Sequence, residues 1–196
     1  MNKYKLIAIC GKSAAGKDTL LQGMLEVIGN EAHEVISHTT RPPREGEVNG
    51  KNYHFIDDYH FTLKEMKGQM LEVAGYREWR YGTAIDALDK DKINIGVFNR
   101  KGIESLKKQS DKVDVYIVYM TASSKTRLLR SLHREEDPDV DEIVRRYLAD
   151  EKEWSGYIGP HFTVSNDGDG IGYKRMAEIT DRIIDDAKHH WAKEAN

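Results

Sequence analysis

The sequence predicts an α/β fold: a parallel core sheet with flanking helices and a small inserted lobe. Three observations carry this. Short apolar runs alternate along the chain with stretches of helical period, the pattern of parallel strands joined by crossover helices. The first run enters the first helix through a glycine-bearing turn, "GKSAAGK" at 11–17. At about Ser37 the texture changes to prolines, glycines and charges, which marks an insertion. With 196 residues the chain is long enough for one domain with a real core. Hydrophobic residues at 39% and charged ones at 32% fit a globular chain, and a net charge of −3 excludes the broad basic surface of a general nucleic-acid binder. No apolar run approaches the roughly 18 residues of a membrane span, so no membrane partner is expected. "MNKYKLIAIC" passes straight into a strand-like run, so no signal peptide is expected. The single cysteine, Cys10, cannot form an internal disulfide; a cytoplasmic location and a core position for Cys10 are the expectations.

In chain order, "KLIAIC" reads as a short buried strand. The helix "KDTLLQGMLEVI" follows, with Leu20, Leu21, Met24, Leu25 and Ile28 at helical spacing. "HEVISHTT" reads as a second strand. From Ser37 to Ala84 a small antiparallel lobe is expected, carrying one helix, "DYHFTLKEMKGQM". "KINIGVF" and "VDVYIVYM" read as further core strands with the helix "RKGIESLKKQ" between them. "SSKTRLLRSLH" and "VDEIVRRYLADEKEW" are helical, and the charged "REEDPD" interrupts them. "HFTVSN" is the last strand and "YKRMAEITDRIIDDAKHHW" a closing amphipathic helix.

The turn after the first strand has the spacing G-x-x-x-x-G-K of a phosphate-binding loop. Gly11 and Gly16 permit backbone conformations that aim amide N–H groups at one anion. Lys17 supplies a point charge to the outer phosphates, and the following helix adds its positive end. Lys12 and Ser13 are loop residues without a separate role. The residue after the lysine is Asp18, where the usual motif has Ser or Thr, and Thr19 stands one place later.

"SHTTRPPREGEVNGKNYHF" resembles the signature of guanylate kinases, T-T-R-x-P-R-x-G-E-x-x-G-x-x-Y-x-F, from Thr39 to Phe55. "MLEVAGYREWRYGT", "RLLRSLHR" and "TVSND" resemble further stretches of that family, so the likeness extends over most of the chain. It implies a P-loop kinase fold: core 1–36, 85–128 and 155–196, an inserted nucleoside-monophosphate (NMP)-binding lobe over 37–84, and a helical lid over 129–154. It implies phosphoryl transfer from ATP, with Mg²⁺, to GMP or dGMP.

Two polyanions must be brought together in such a transfer, so cations must neutralise both. By resemblance, Gly11, Ser13, Ala14, Ala15, Gly16, Lys17, Asp18, Thr19 and Asn166 form the ATP site. Arg41 and Arg44 grip the acceptor phosphate with paired contacts that Lys could not copy. Tyr53 and Tyr81 donate hydroxyls to it. Ser37, Glu72, Gly82 and Thr83 lie at the guanine, whose N1–H and 2-amino donors suit a carboxylate acceptor. Arg130, Arg134 and either Arg145 or Arg146 close over the transferring group; Arg146 is preferred because Ala149 and Glu153 then also fall at the family's spacing. With Lys17 and Arg41, these are the expected catalytic cations.

The chain departs from the pattern where the family has D-x-D-x-x-G. Here "VFNRKG" puts Val97 and Asn99 in place of the two acids. Asn99 keeps an amide oxygen for guanine but no charge. Two readings of Asp18 stand side by side: an acid favoured in the first turn of a helix, or, with Thr19, a magnesium ligand that compensates for Val97. A kinase for another (deoxy)nucleotide and a non-catalytic peptide-binding module are the rival functions. Retention of Gly16, Lys17 and the arginines speaks against the second. Monomer and homodimer are both open. His189, His190, Trp79 and Trp154 are read as packing or surface residues, and His133 carries no argued role.

Overall fold

The computed structural model describes residues 3–76, 78–134, 136–168 and 170–194. Five parallel strands form the core sheet: β1 (Tyr4–Gly11), β2 (Ala32–Glu34), β7 (Ile93–Val97), β8 (Val113–Thr121) and β9 (Phe162–Ser165), in the order β2-β7-β1-β8-β9. Alternation along β1 sends Ile7 and Ile9 to one face and Leu6, Ala8 and Cys10 to the other. The first face is covered by α1 (Lys17–Ile28), through Leu20, Leu21 and Met24, and by the closing helix α6 (Tyr173–Glu194), through Met176, Ile179 and Ile183. On the second face lie Ile103 and Leu106 of α3 (Arg100–Lys107), together with Trp154. A sheet covered on both faces needs apolar strands throughout, which is why these runs read so plainly in the sequence. Cys10 is fully buried and its Sγ lies 3.9 Å from the Tyr157 hydroxyl. Burial pushes its thiol up to about 11, so it is an inert core residue near neutral pH.

The expected single strand "HEVISHTT" is two strands in two sheets. Val35 still donates its N–H to the Ile95 carbonyl of the core sheet (2.9 Å), whereas the Ser37 carbonyl accepts from His54 N–H (2.9 Å). Between them the chain changes partners and leaves the core. The second sheet has the order β4-β3-β6-β5, built from β3 (His38–Thr39), β4 (His54–Phe55), β5 (Met70–Tyr76) and β6 (Trp79–Ala84). β6 is antiparallel to both β3 and β5, while the two-residue β4 joins the edge of β3 in parallel.

Phe61 of α2 (Asp58–Met66) is fully buried against Met70 and Ala84 under this sheet. The helix expected over 58–70 stops at Met66. Gly68 takes φ +64°, its N–H bonds back to Glu65, and Gln69 N–H bonds to Lys64, so a glycine cap ends the helix and the chain turns out into β5.

Helices α4 (Ser124–Leu132) and α5 (Val140–Glu153) match their sequence expectations closely because both carry side-chain caps. Ser123 accepts from Thr126 N–H, and Asp139 accepts from Glu142 N–H (3.0 Å). No described helix is long and apolar enough to cross a membrane. His190 of α6 packs on His161 with ring centroids 4.4 Å apart, and Trp191 donates its indole N–H to the Asp114 carbonyl (3.1 Å), so this end of α6 is a docking surface for β8.

Candidate active site

The glycine-bearing turn stands at the carboxyl end of β1, in the middle of the core sheet, where open α/β sheets place their ligands. Both glycines are required by geometry. A Cβ on Gly11 would lie 2.2 Å from the Met120 carbonyl oxygen, and one on Gly16 would lie 2.3 Å from Asn166 Nδ2; both also have positive φ, 142° and 98°. Ala14, at φ 59°, is the positive-φ non-glycine among the described residues. Lys17 opens α1, and its ammonium folds back onto the Lys12 carbonyl (3.0 Å). Burial lowers its pKa, while the Asp18 and Asp150 carboxylates oppose that shift. Asp18 and Thr19 are exposed on the first turn of the same helix.

A cavity of ≈ 680 Å³ opens over this loop. It is lined by Ser13, Ala14, Gly16, Lys17, Asp18, Thr19, Arg44, Arg130, Arg134 and Arg146, among others. Cations therefore converge on one space from the loop, the inserted lobe, α4 and α5. Arg130 is anchored by carbonyl oxygens: Ala14 (3.4 Å), Asn166 (3.0 Å) and Gly168 (3.3 Å). Arg145, the other candidate in its stretch, pairs with Glu142 (2.6 Å) and is not among the lining residues. Asn166 is 3% exposed and donates to the Ala15 carbonyl (2.8 Å), so it serves as a strut under the loop.

The sequence reading missed a charged group beneath the loop. Arg127, 3% exposed, pairs with Glu151 and lies 3.7 Å from Asp150; Glu151 also pairs with Lys12 (2.6 Å), and Asp150 accepts the Ser13 N–H (2.7 Å). In the sequence Arg127 is one of several basic residues in a helical stretch and nothing sets it apart. Only its partners, 23 and 24 residues away, distinguish it.

A second cavity of ≈ 290 Å³ is lined by Ser37, Tyr53, Glu72, Ala74, Gly75, Tyr81, Gly82, Val97, Phe98 and Asn99. Thr83, fully buried behind it, donates its hydroxyl to Glu72 Oε1 (2.9 Å) and lies 3.0 Å from the Ser37 hydroxyl. Since the Thr83 proton is committed to Glu72, Ser37 donates to Thr83, and the lone pairs of Ser37 and Glu72 remain for a ligand. Burial raises the Glu72 pKa above its ordinary 4.5, and hydrogen bonds from Thr83 pull it back. A Cβ on Gly82 would lie 2.6 Å from the Glu72 carbonyl, which keeps this strand position small. Asn99 is the N-cap of α3: its side-chain oxygen accepts Gly102 N–H (2.7 Å), and that oxygen's second lone pair and the amide N–H₂ remain as polar groups.

Arg41 and Arg44 differ. Arg41 is 8% exposed and makes a two-pronged contact with Glu47 (2.9 and 2.8 Å), with the Tyr53 and Phe55 rings each 5.7 Å from its guanidinium. Arg44 is exposed and reaches the first cavity; its backbone N–H donates to the Glu47 carboxylate (2.7 Å) and its carbonyl accepts the Glu47 N–H (3.1 Å). Glu47 is thus a partner the sequence offered six residues from Arg41 but did not mark as one.

A parallel α/β sheet that feeds such a loop, with arginines arriving from separate segments, belongs to the P-loop kinase class of phosphotransferases. Comparison with known proteins narrows this. The family profile described as guanylate kinase matches residues 3–182. A guanylate kinase of Campylobacter jejuni is 35% identical over 182 residues, covering 89% of this chain and 86% of that one; one of Rubrobacter xylanophilus is 29% identical, covering 94% and 97%. The crystal structure of guanylate kinase from Anaplasma phagocytophilum superposes with a TM-score of 0.58 at 20% identity, covering 93% of this chain and 84% of that one, and shares the fold. The chain belongs to the guanylate kinase family.

Proposed function

We propose that the protein transfers the γ-phosphoryl group of ATP to GMP or dGMP, giving ADP and GDP or dGDP. The observation that carries the base assignment is Glu72: a carboxylate acceptor fixed by Thr83 in a small pocket, matched to the adjacent N–H donors of guanine. An oxygen of the acceptor phosphate attacks the γ-phosphorus as the bond to the ADP oxygen breaks, and no covalent enzyme intermediate is required. Catalysis is positioning and charge neutralisation. Lys17, Arg130, Arg134 and Arg146 surround the donor phosphates, with Gly11, Ser13, Ala14, Ala15 and Gly16 shaping the cradle and Asn166 supporting it. Arg41, Arg44, Tyr53 and Tyr81 hold the acceptor phosphate, and Ser37, Glu72, Gly82, Thr83 and Asn99 frame the base. Residues 37–84 act as the acceptor lobe and 129–154 as the lid on the core. The inert thiol of Cys10 suits a reducing cytoplasm.

The test is a coupled ADP-release assay across monophosphates. GMP or dGMP is expected to give the highest kcat/KM, and a higher value for AMP, CMP or dTMP would overturn the base assignment.

Magnesium fits the donor set at the cavity rim. Asp18 and Thr19 offer hard oxygen donors beside Lys17, and among the described residues no three acidic or imidazole groups cluster to hold a metal unaided, so the ion would complete its shell with phosphate oxygens and water. Bound there, it would neutralise charge on the triphosphate. Asp18→Ala is expected to raise the magnesium concentration for half-maximal rate and to lower kcat at least about tenfold, about 1.4 kcal/mol. Asp18→Ser should recover part of the loss. A variant that melts differently but keeps its magnesium dependence would leave Asp18 as a helix-end acid.

A further inference from the structure

The phosphate loop is tied to the lid helix by a set of side chains that the reaction itself does not call for. Lys12 and Ser13 belong to the loop, Arg127 to α4, and Asp150 and Glu151 to the last turn of α5. Glu151 bridges Lys12 (2.6 Å) and Arg127, Asp150 accepts the Ser13 N–H (2.7 Å), and Arg127 lies 3.7 Å from Asp150 with its guanidinium 4.9 Å from the Tyr147 ring.

The loop needs holding. Gly11 and Gly16 take positive φ freely, but Ala14 between them is also held at φ 59°, a conformation that a non-glycine residue populates poorly and that persists where neighbours over-determine it. Its carbonyls are fixed from below: Lys12 by the Lys17 ammonium, Ala14 by Arg130, Ala15 by Asn166. Asp150 supplies an anchor on the amide side, at the residue just before the strained Ala14.

A lone carboxylate at the mouth of an anion site would repel the triphosphate. Here the two acids, Asp150 and Glu151, meet two bases, Lys12 and Arg127, so the brace adds no net charge to the cradle. Arg127 is more than nine-tenths buried and its Nε has no hydrogen-bond partner among the described residues, a cost that is tolerated where the group has a task.

We propose that Asp150, held by Arg127, is a positioning residue for the ATP site: it fixes Ser13 N–H, and with it the course of the loop from Gly11 to Gly16, in the form that receives the donor phosphates. The inference rests on the kinase reading above. It further implies that the loop and the last turn of α5 move as one unit.

The measurement is a steady-state separation of KM for ATP from KM for GMP. Asp150→Ala is expected to raise KM for ATP about tenfold while KM for GMP stays within about twofold. Asp150→Asn should restore most of the ATP affinity, because its amide oxygen still accepts from Ser13 N–H. ADP binding, followed by equilibrium titration without acceptor, should weaken in parallel. A lowered melting temperature with an unchanged KM for ATP would reduce Asp150 to a structural brace and overturn the proposal. A fall in KM for ATP would overturn it too, by showing the carboxylate to be an obstacle. Should Asp150→Ala not fold, the charge-balanced pair Asp150→Ala with Arg127→Met is read in the same way. Wild-type saturation with ATP and with each monophosphate is measured first. A different acceptor preference would displace the guanine reading and leave the ATP comparison intact.

Discussion

Lys17→Met should lower kcat by about 10³-fold, about 4 kcal/mol, while the protein still folds. The side chain is held in place by the loop itself, its ammonium resting on the Lys12 carbonyl at 3.0 Å. Binding therefore costs little reorganisation, and the charge is delivered where the transferring group carries its negative charge. Methionine fills a similar volume but brings no charge and no donor. The fold should tolerate the change because the Lys12 carbonyl retains the Ala15 N–H at 3.3 Å. A coupled kinase assay and a thermal melt separate the two effects. Near-native turnover would remove Lys17 from the transfer step and revive the reading of the chain as a binding module.

The second large effect is expected at the base. Glu72→Gln should reduce kcat/KM for GMP by about 10³–10⁴, because a pocket built around hydrogen bonds discriminates strongly when one partner is lost. Glutamine preserves shape but replaces one acceptor by an N–H₂ group, which then faces the donors of guanine. Thr83 would also have to turn its hydroxyl or lose its acceptor. The pH dependence carries a sign. Burial raises the Glu72 pKa above the ordinary 4.5, so as pH falls the pocket loses its carboxylate earlier than a free side chain would. Activity toward GMP should therefore show an acid limb above the normal carboxylate range, and Glu72→Gln should lack it. For stability the same shift acts in the opposite sense: the folded state holds its proton longer than the unfolded chain, so this residue's contribution diminishes as pH rises through that interval. An unchanged kcat/KM for GMP would place Glu72 outside the site.

What could be read from the sequence was what depends on neighbours along the chain. "GKSAAGK" sits between an apolar strand and a periodic helix, and both glycines prove sterically indispensable. The capped helices α4 and α5 also read correctly, since a Ser or Asp three residues before its target N–H is a local event. "HEVISHTT" misled because its texture is uniform, whereas its hydrogen bonds pass from Ile95 to His54 in the space of two residues. Asn99, read as a base contact without charge, also caps α3: its oxygen accepts the Gly102 N–H, a role that the helix start at Arg100 could have suggested. Arg127, Asp150 and Glu151 gave no signal, because an ion pair formed across 139 residues of chain (Lys12–Glu151) and a backbone N–H bond formed across 137 (Ser13–Asp150) leave no pattern in either segment.

The Arg41–Glu47 clasp bears on what the acceptor meets on arrival. With both prongs of the guanidinium already occupied by a carboxylate, the resting lobe presents a neutral pair at that position instead of a bare cation. An incoming phosphate therefore exchanges one anion for another there, and little of its affinity can come from releasing counterions at Arg41. The long-range pull on the acceptor falls to the exposed Arg44. Neighbouring arginines thereby divide the work, one attracting its ligand from a distance and the other opening only at contact.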